Sequence, residues 1–88
     1  MPIYYSSAVD FKYTIVRGDL QYYTPSDYIT DAWEKNIRFL KKEAYECNAD
    51  CVIDAQIKIS SLDEDASEPR YIVYSIGMAV KKIEDYNS

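Results

Sequence analysis

TPSDYITDAWEKNIRFLKKEAYECN, Thr24 to Asn48, is the stretch whose reading decides the fold. Thr24 is suited to an N-cap, Pro25 to the first helical position, where its missing N–H costs nothing, and Asp27 stands three residues on as in a variant capping box. The helix is therefore expected to begin at Pro25. From there Ile29, Ala32, Trp33, Ile37, Leu40, Ala44 and Cys47 recur at intervals of three and four, giving one apolar stripe over about six turns, the expected core face. Asp31 with Lys35, Glu34 with Arg38 and Lys42 with Glu46 place opposite charges one turn apart on the solvated side. Asn48 follows the stripe and is the non-glycine type best able to take the left-handed conformation that stops a helix.

Outward from the helix the pattern changes to period two. On the N-terminal side, Phe11, Tyr13 and Ile15 alternate with Lys12, Thr14 and Val16 as in a half-buried strand. Arg17-Gly18-Asp19 interrupts that strand and Leu20 to Tyr23 resumes it, so Gly18 marks a bulge or bend. Ile3-Tyr4-Tyr5 is short enough to be a separate strand, leaving residues 1–9 as an N-terminal arm. On the C-terminal side, Cys51 to Ser60 places Cys51, Ile53, Ala55, Ile57 and Ile59 on one face and Val52, Asp54, Gln56, Lys58 and Ser60 on the other. Ser61 to Glu68 is small, polar and acidic, closed by Pro69, and is expected to be a surface loop between antiparallel strands.

Tyr71 to Val80 is apolar on both faces. Ile72, Tyr74, Ile76, Met78 and Val80 share one, while Tyr71, Val73, Ser75, Gly77 and Ala79 share the other. One helix covers one face of a sheet, so the second is expected to meet another subunit. Residues 81–88 read as a polar tail. The expected fold class is α+β: one domain over residues 1–88, with strand, long helix and two antiparallel strands, the helix packed on one face of a small antiparallel sheet.

Composition narrows the function. An 88-residue chain of 10.2 kDa allows one small core, for which oligomerisation is a natural source of added stability. It holds ten tyrosines and no histidine, which removes Ser-His and Cys-His pairs, imidazole acid–base chemistry and His-ligated metals. A formal net charge of −5 repels phosphate backbones and anionic bilayers, so neither nucleic acid nor membrane is an expected partner. No apolar run is long enough to span a bilayer and no leader pattern opens the chain, so the expected location is the cytoplasm.

The segment Glu43-Ala44-Tyr45-Glu46-Cys47-Asn48-Ala49-Asp50-Cys51-Val52-Ile53 resembles the helix-to-strand junction "E-A…GAdaVvg" of the YbjQ-like family, often labelled heavy-metal-binding. Ile76-Gly77-Met78-Ala79-Val80 is similar to that family's terminal "GTAV". The likeness runs from Tyr13 to Val80. Asn48 stands where the family has Gly, Met78 where it has Thr, and Tyr22-Tyr23-Thr24-Pro25 replaces a longer Gly-rich insertion. The resemblance implies a small α+β unit assembling into pentameric rings.

Three chemistries are compatible with the residues present. Cys47 and Cys51 are thiolate donors of a type that suits a soft metal such as Cu(I) or Zn(II), with Asp50 or by repetition around a ring. Against this, both fall at expected core positions, where free cysteine behaves as a small hydrophobe, and a helix C-terminus disfavours a thiolate at Cys47. Asp63-Glu64-Asp65 with Glu68 has acceptors for a hard cation but no turn glycine, and reads as a solvated loop. Pro2, exposed by removal of Met1, resembles the N-terminal general base of the small tautomerases, with Arg17 and Arg38 available to hold a carboxylate substrate. Tyrosines suit wet subunit interfaces and also pockets that stack on a flat ligand. Tyr22, Tyr23, Tyr71, Val73 and Gly77 are the candidate interface and ligand-binding residues. The expected function is a non-enzymatic homo-oligomer, a pentamer by resemblance, with a small-molecule or metal site between subunits and no required cofactor; the alternative is a tautomerase-like enzyme built on Pro2.

Overall fold

The structure, a computed structural model, describes residues 1–61 and 70–83. Of the expected acidic loop only Ser61 is described, as part of a strand; the rest of it and the last five residues of the expected tail lie outside these. The elements are β1 (Tyr13–Ser26), α1 (Ile29–Glu46), β2 (Cys51–Ser61) and β3 (Tyr71–Lys82). They form a three-stranded sheet in the order β1-β3-β2 with both pairings antiparallel and α1 on one face. The α+β class and the element order read from the sequence are those observed.

The helix starts later than its capping chemistry predicts. Thr24, Pro25 and Ser26 continue β1 by pairing with Val73, Ile72 and Tyr71. Proline is tolerated there because β1 is an edge strand, where a missing N–H breaks no ladder. Tyr28 takes the N-cap position without a side-chain hydrogen bond, while its own N–H donates to Ser26 Oγ at 3.0 Å. Asp27 does not cap; its carboxylate accepts the Arg70 N–H at 3.0 Å and ties the helix entry to the start of β3.

The helix end is as expected. Asn48 has φ 62°, and the N–H groups of Asn48 and Ala49 donate to the carbonyls of Tyr45 and Ala44 at 3.1 and 2.9 Å. This pair of bonds is a Schellman cap, and Ala44 and Ala49 meet in the core beneath it.

Two clusters occupy the two sides of the sheet. On the helix side Leu20, Leu40, Ala44, Val52, Ala55 and Ala79 pack together. On the far side Cys51, Ile53 and Val80 are buried beneath Tyr4, Val9, Phe11 and Tyr13. Each buried Leu, Ile or Val contributes about 1.5–3 kcal/mol. The helix stripe is narrower than expected: Ala32, Asn36, Leu40 and Ala44 are its buried residues, while Ile29 and Trp33 keep more than a third of their surface exposed.

Bulges set which residues face which side. β1 shifts register on either side of Arg17, as the Arg17-Gly18-Asp19 interruption suggests. β2 carries an extra residue between Ile53 and Gln56, where Asp54 sits at φ 52°. The alternation expected for this strand is thereby reversed halfway. Cys51 and Ile53 face away from the helix, whereas Ala55 joins the helix side.

The N-terminal arm runs along the outer edge of β2. The Val52 N–H donates to the Pro2 carbonyl at 3.1 Å, the Tyr4 N–H to the Val52 carbonyl at 2.8 Å and the Ala55 N–H to the Tyr4 carbonyl at 3.0 Å. Ile3 and Val52 form a parallel bridge, so the expected short strand is a single bridged step. Lys81 and Lys82 belong to β3, and the Ile83 N–H donates to the Lys12 carbonyl at 2.9 Å. The expected tail therefore starts inside the sheet.

Candidate functional site

The second face of β3 is covered for only half its length. Near Val80 the arm folds over it: Tyr4 meets Phe11 edge-on at 5.8 Å between ring centroids, Phe11 meets Tyr13 at 6.2 Å, and the Lys82 ammonium lies 4.8 Å from the Phe11 ring. Intramolecular cover therefore replaces part of the expected subunit contact. Beyond it Ile72, Ile76 and Met78 are half-buried and Tyr74 is 36% exposed, with Met78 still packing against the far-side cluster. Tyr23, 63% exposed, stands opposite Tyr74 on β1, and Gln21 stands opposite Ile76. Tyr74 donates its hydroxyl to Gln21 Oε1 at 3.3 Å. On the other flank Gln56, Lys58 and Ser60 pair with Ile76, Tyr74 and Ile72. The result is an apolar row with aromatic centres and a polar border, the layout of an interface core with a wet rim.

The five candidate interface residues divide between the two faces. Tyr23 belongs to the open face. Val73 and Gly77 lie on the helix side and are buried within the chain, with an added Cβ at Gly77 falling 2.8 Å from Val52 Cγ1. They are core residues, because the helix takes the face of β3 that carries them. Tyr22 points to the same side and stacks on Phe39, ring centroids 4.3 Å apart and planes 13° from parallel. Tyr71 is half-buried at the β3 end that pairs with Ser26 and Ser61.

Cys47 and Cys51 do not converge. Cys47 packs against the helix-side cluster and donates its thiol to the Ala44 carbonyl at 3.4 Å, whereas Cys51 is fully buried in the far-side cluster. Burial pushes the Cys51 thiol pKa up; nearby Lys82 opposes the shift and Asp50 adds to it. The two sulfurs pack in separate clusters. Among the described residues no group of three or more Cys, Asp or Glu side chains is placed to hold a metal ion.

The tautomerase constellation is half assembled. Pro2 and Arg38 line one cavity between the arm and the helix. Arg17 is held elsewhere, donating to Glu43 Oε2 at 2.7 Å and to Asp19 Oδ1 at 3.3 Å; the Asp19 hydrogen bond chiefly keeps its pKa raised.

One polar centre escapes a reading of the sequence. Asn36 is fully buried on the helix, and its Nδ2 donates to the Ala32 carbonyl at 2.7 Å, Thr24 Oγ1 at 3.0 Å and the Val73 carbonyl at 3.3 Å. Ser75 donates its hydroxyl to Asn36 Oδ1 at 2.6 Å. Buried amides are tolerated only when paired in this way. The network ties helix, β1 and β3 at one level. A polar residue next to the stripe gave no signal of burial, because three of its four partners lie 12 to 39 residues away.

The sequence matches no known protein-family profile. It likewise matches no curated protein. Among solved structures it is similar to a protein of unknown function of the DUF74 family from Pediococcus pentosaceus, with a TM-score of 0.80, 15% identity, and coverage of 94% of this chain and 98% of that one. DUF74 is the family whose fold the YbjQ-like resemblance implies. What the likeness establishes for this chain is its fold: one helix on a three-stranded antiparallel sheet, shared over nearly its whole length with a protein whose own function is unknown.

Proposed function

We propose that this protein is a non-enzymatic homo-oligomeric binding or scaffold protein, its subunits joined through the open half of the sheet. The observation that carries the reading is the row Ile72, Tyr74 and Ile76, only partly covered on the central strand of a small chain, with exposed Tyr23 beside it. A second copy of the chain is the occupant, since covering this row supplies the apolar burial that so short a chain lacks. The pentameric number comes from the YbjQ-like resemblance. A small ligand held between subunits would meet the Tyr23 and Tyr74 rings, with Gln21 and Lys58 at its edge. Catalysis forms no part of the reading.

Native mass spectrometry of untagged protein and of Ile76→Asp tests it. The wild type is expected as a pentamer, and Ile76→Asp as a folded monomer, because a carboxylate is solvated on an open face and desolvated in an interface. A monomeric wild type, or an Ile76→Asp variant that assembles normally, would overturn the proposal.

A further inference from the structure

A cavity of about 570 Å³ opens between the N-terminal arm and the outer flank of α1, away from the open sheet face. Its size falls within the range of small-molecule sites, about 300–1,000 Å³. Trp33 and Tyr5 supply aromatic surface that the core does not use, being 37% and 58% exposed, and Ile37 adds an aliphatic wall. Arg38 and Lys41 follow Trp33 by five and eight residues on the same helix and bring two cations to the cavity. Glu34 is the one acid in the lining, and it holds Arg38 only through a 3.5 Å contact between two well-exposed side chains. Such a pair is worth about 0–1 kcal/mol and is easily exchanged.

These features combine into a ligand class. Exposed aromatic rings favour a flat ring partner, and a guanidinium beside an ammonium favours an anion. The lining side chains carry a net single positive charge and the N-terminal ammonium at Met1 adds to it, so the cavity favours an anion. We propose that this cavity binds a small aromatic carboxylate, its ring against Trp33 and Tyr5 and its carboxylate on Arg38 in exchange for Glu34. The site lies within one subunit and does not depend on the proposed assembly.

Trp33 is the only tryptophan of the chain, so its indole N–H gives one cross-peak in a ¹⁵N-correlated NMR spectrum and reports the cavity directly. The probes are 2-naphthoate and its neutral counterpart 2-naphthalenemethanol. The Trp33 peak is expected to shift saturably with naphthoate, at least about tenfold more tightly than with the alcohol, in keeping with a charge-assisted hydrogen bond. Arg38→Ala should abolish the preference for acid over alcohol, and Glu34→Gln should tighten naphthoate binding about threefold by freeing Arg38. Both side chains are exposed, so neither change threatens the fold. An unmoved Trp33 peak, equal affinity for acid and alcohol, or an Arg38→Ala variant that keeps the preference would each overturn the proposal.

Discussion

Asn36 and Gly77 show how single residues hold the sheet and helix together. Replacing Asn36 with Leu leaves the Ser75 hydroxyl and Thr24 Oγ1 without this partner inside the core. A loss of about 2–3 kcal/mol in urea unfolding is expected, consistent with orphaned buried polar groups. A variant as stable as wild type would show that the network contributes nothing. Gly77→Ala forces its Cβ against Val52 Cγ1 at 2.8 Å in the middle of the central strand, and about 1–3 kcal/mol of destabilisation should follow. At this scale Asn48 was legible in the sequence and Asn36 was not. Helix stopping depends on local backbone chemistry, which the residue type announces, whereas a buried amide is recognised only once distant strands are in place.

At the scale of elements, periodicity gave the helix and the strands but misplaced two boundaries and one facing. Thr24-Pro25 carries a strong helix-start signature, yet the ladder to Ile72 and Val73 keeps both residues in β1. Strand pairing here overrides local capping. The bulge at Asp54 has no equivalent in a count by twos, and it sends Cys51 to the side opposite Ala55. The consequence is chemical: the two cysteines are separated. A thiol reagent applied to the folded protein should label Cys47 and spare Cys51 until unfolding, and equal labelling rates would refute their placement. Because folding raises the Cys51 pKa, the protonated thiol is the form the fold favours. Its contribution is therefore fully present below the thiol's ordinary pKa and is lost as pH rises through the folded value. Wild type should lose more stability than Cys51→Ala on moving from neutral to strongly alkaline buffer, and parallel losses would remove Cys51 as a cause. In the helix, Leu40→Ala should cost about 2–5 kcal/mol, since Leu40 is fully buried among core residues.

For the whole molecule, the two-sided apolar character of β3 was visible in the sequence, but the means of covering it was not. The arm buries the end near Val80 by pairing with β2 and folding Phe11 and Tyr4 across the sheet. No periodic pattern in residues 1–9 encodes that path. What remains partly open, Ile72, Tyr74 and Ile76 with Tyr23 alongside, is the surface on which the proposed assembly rests. Among the described residues no helix is long and apolar enough to cross a membrane. The measurement that bears most directly on the central claim is native mass spectrometry of untagged wild type beside Ile76→Asp, with far-UV circular dichroism on both. A pentameric wild type and a monomeric variant of unchanged circular dichroism are expected; a wild type that stays monomeric across the micromolar range would contradict the claim.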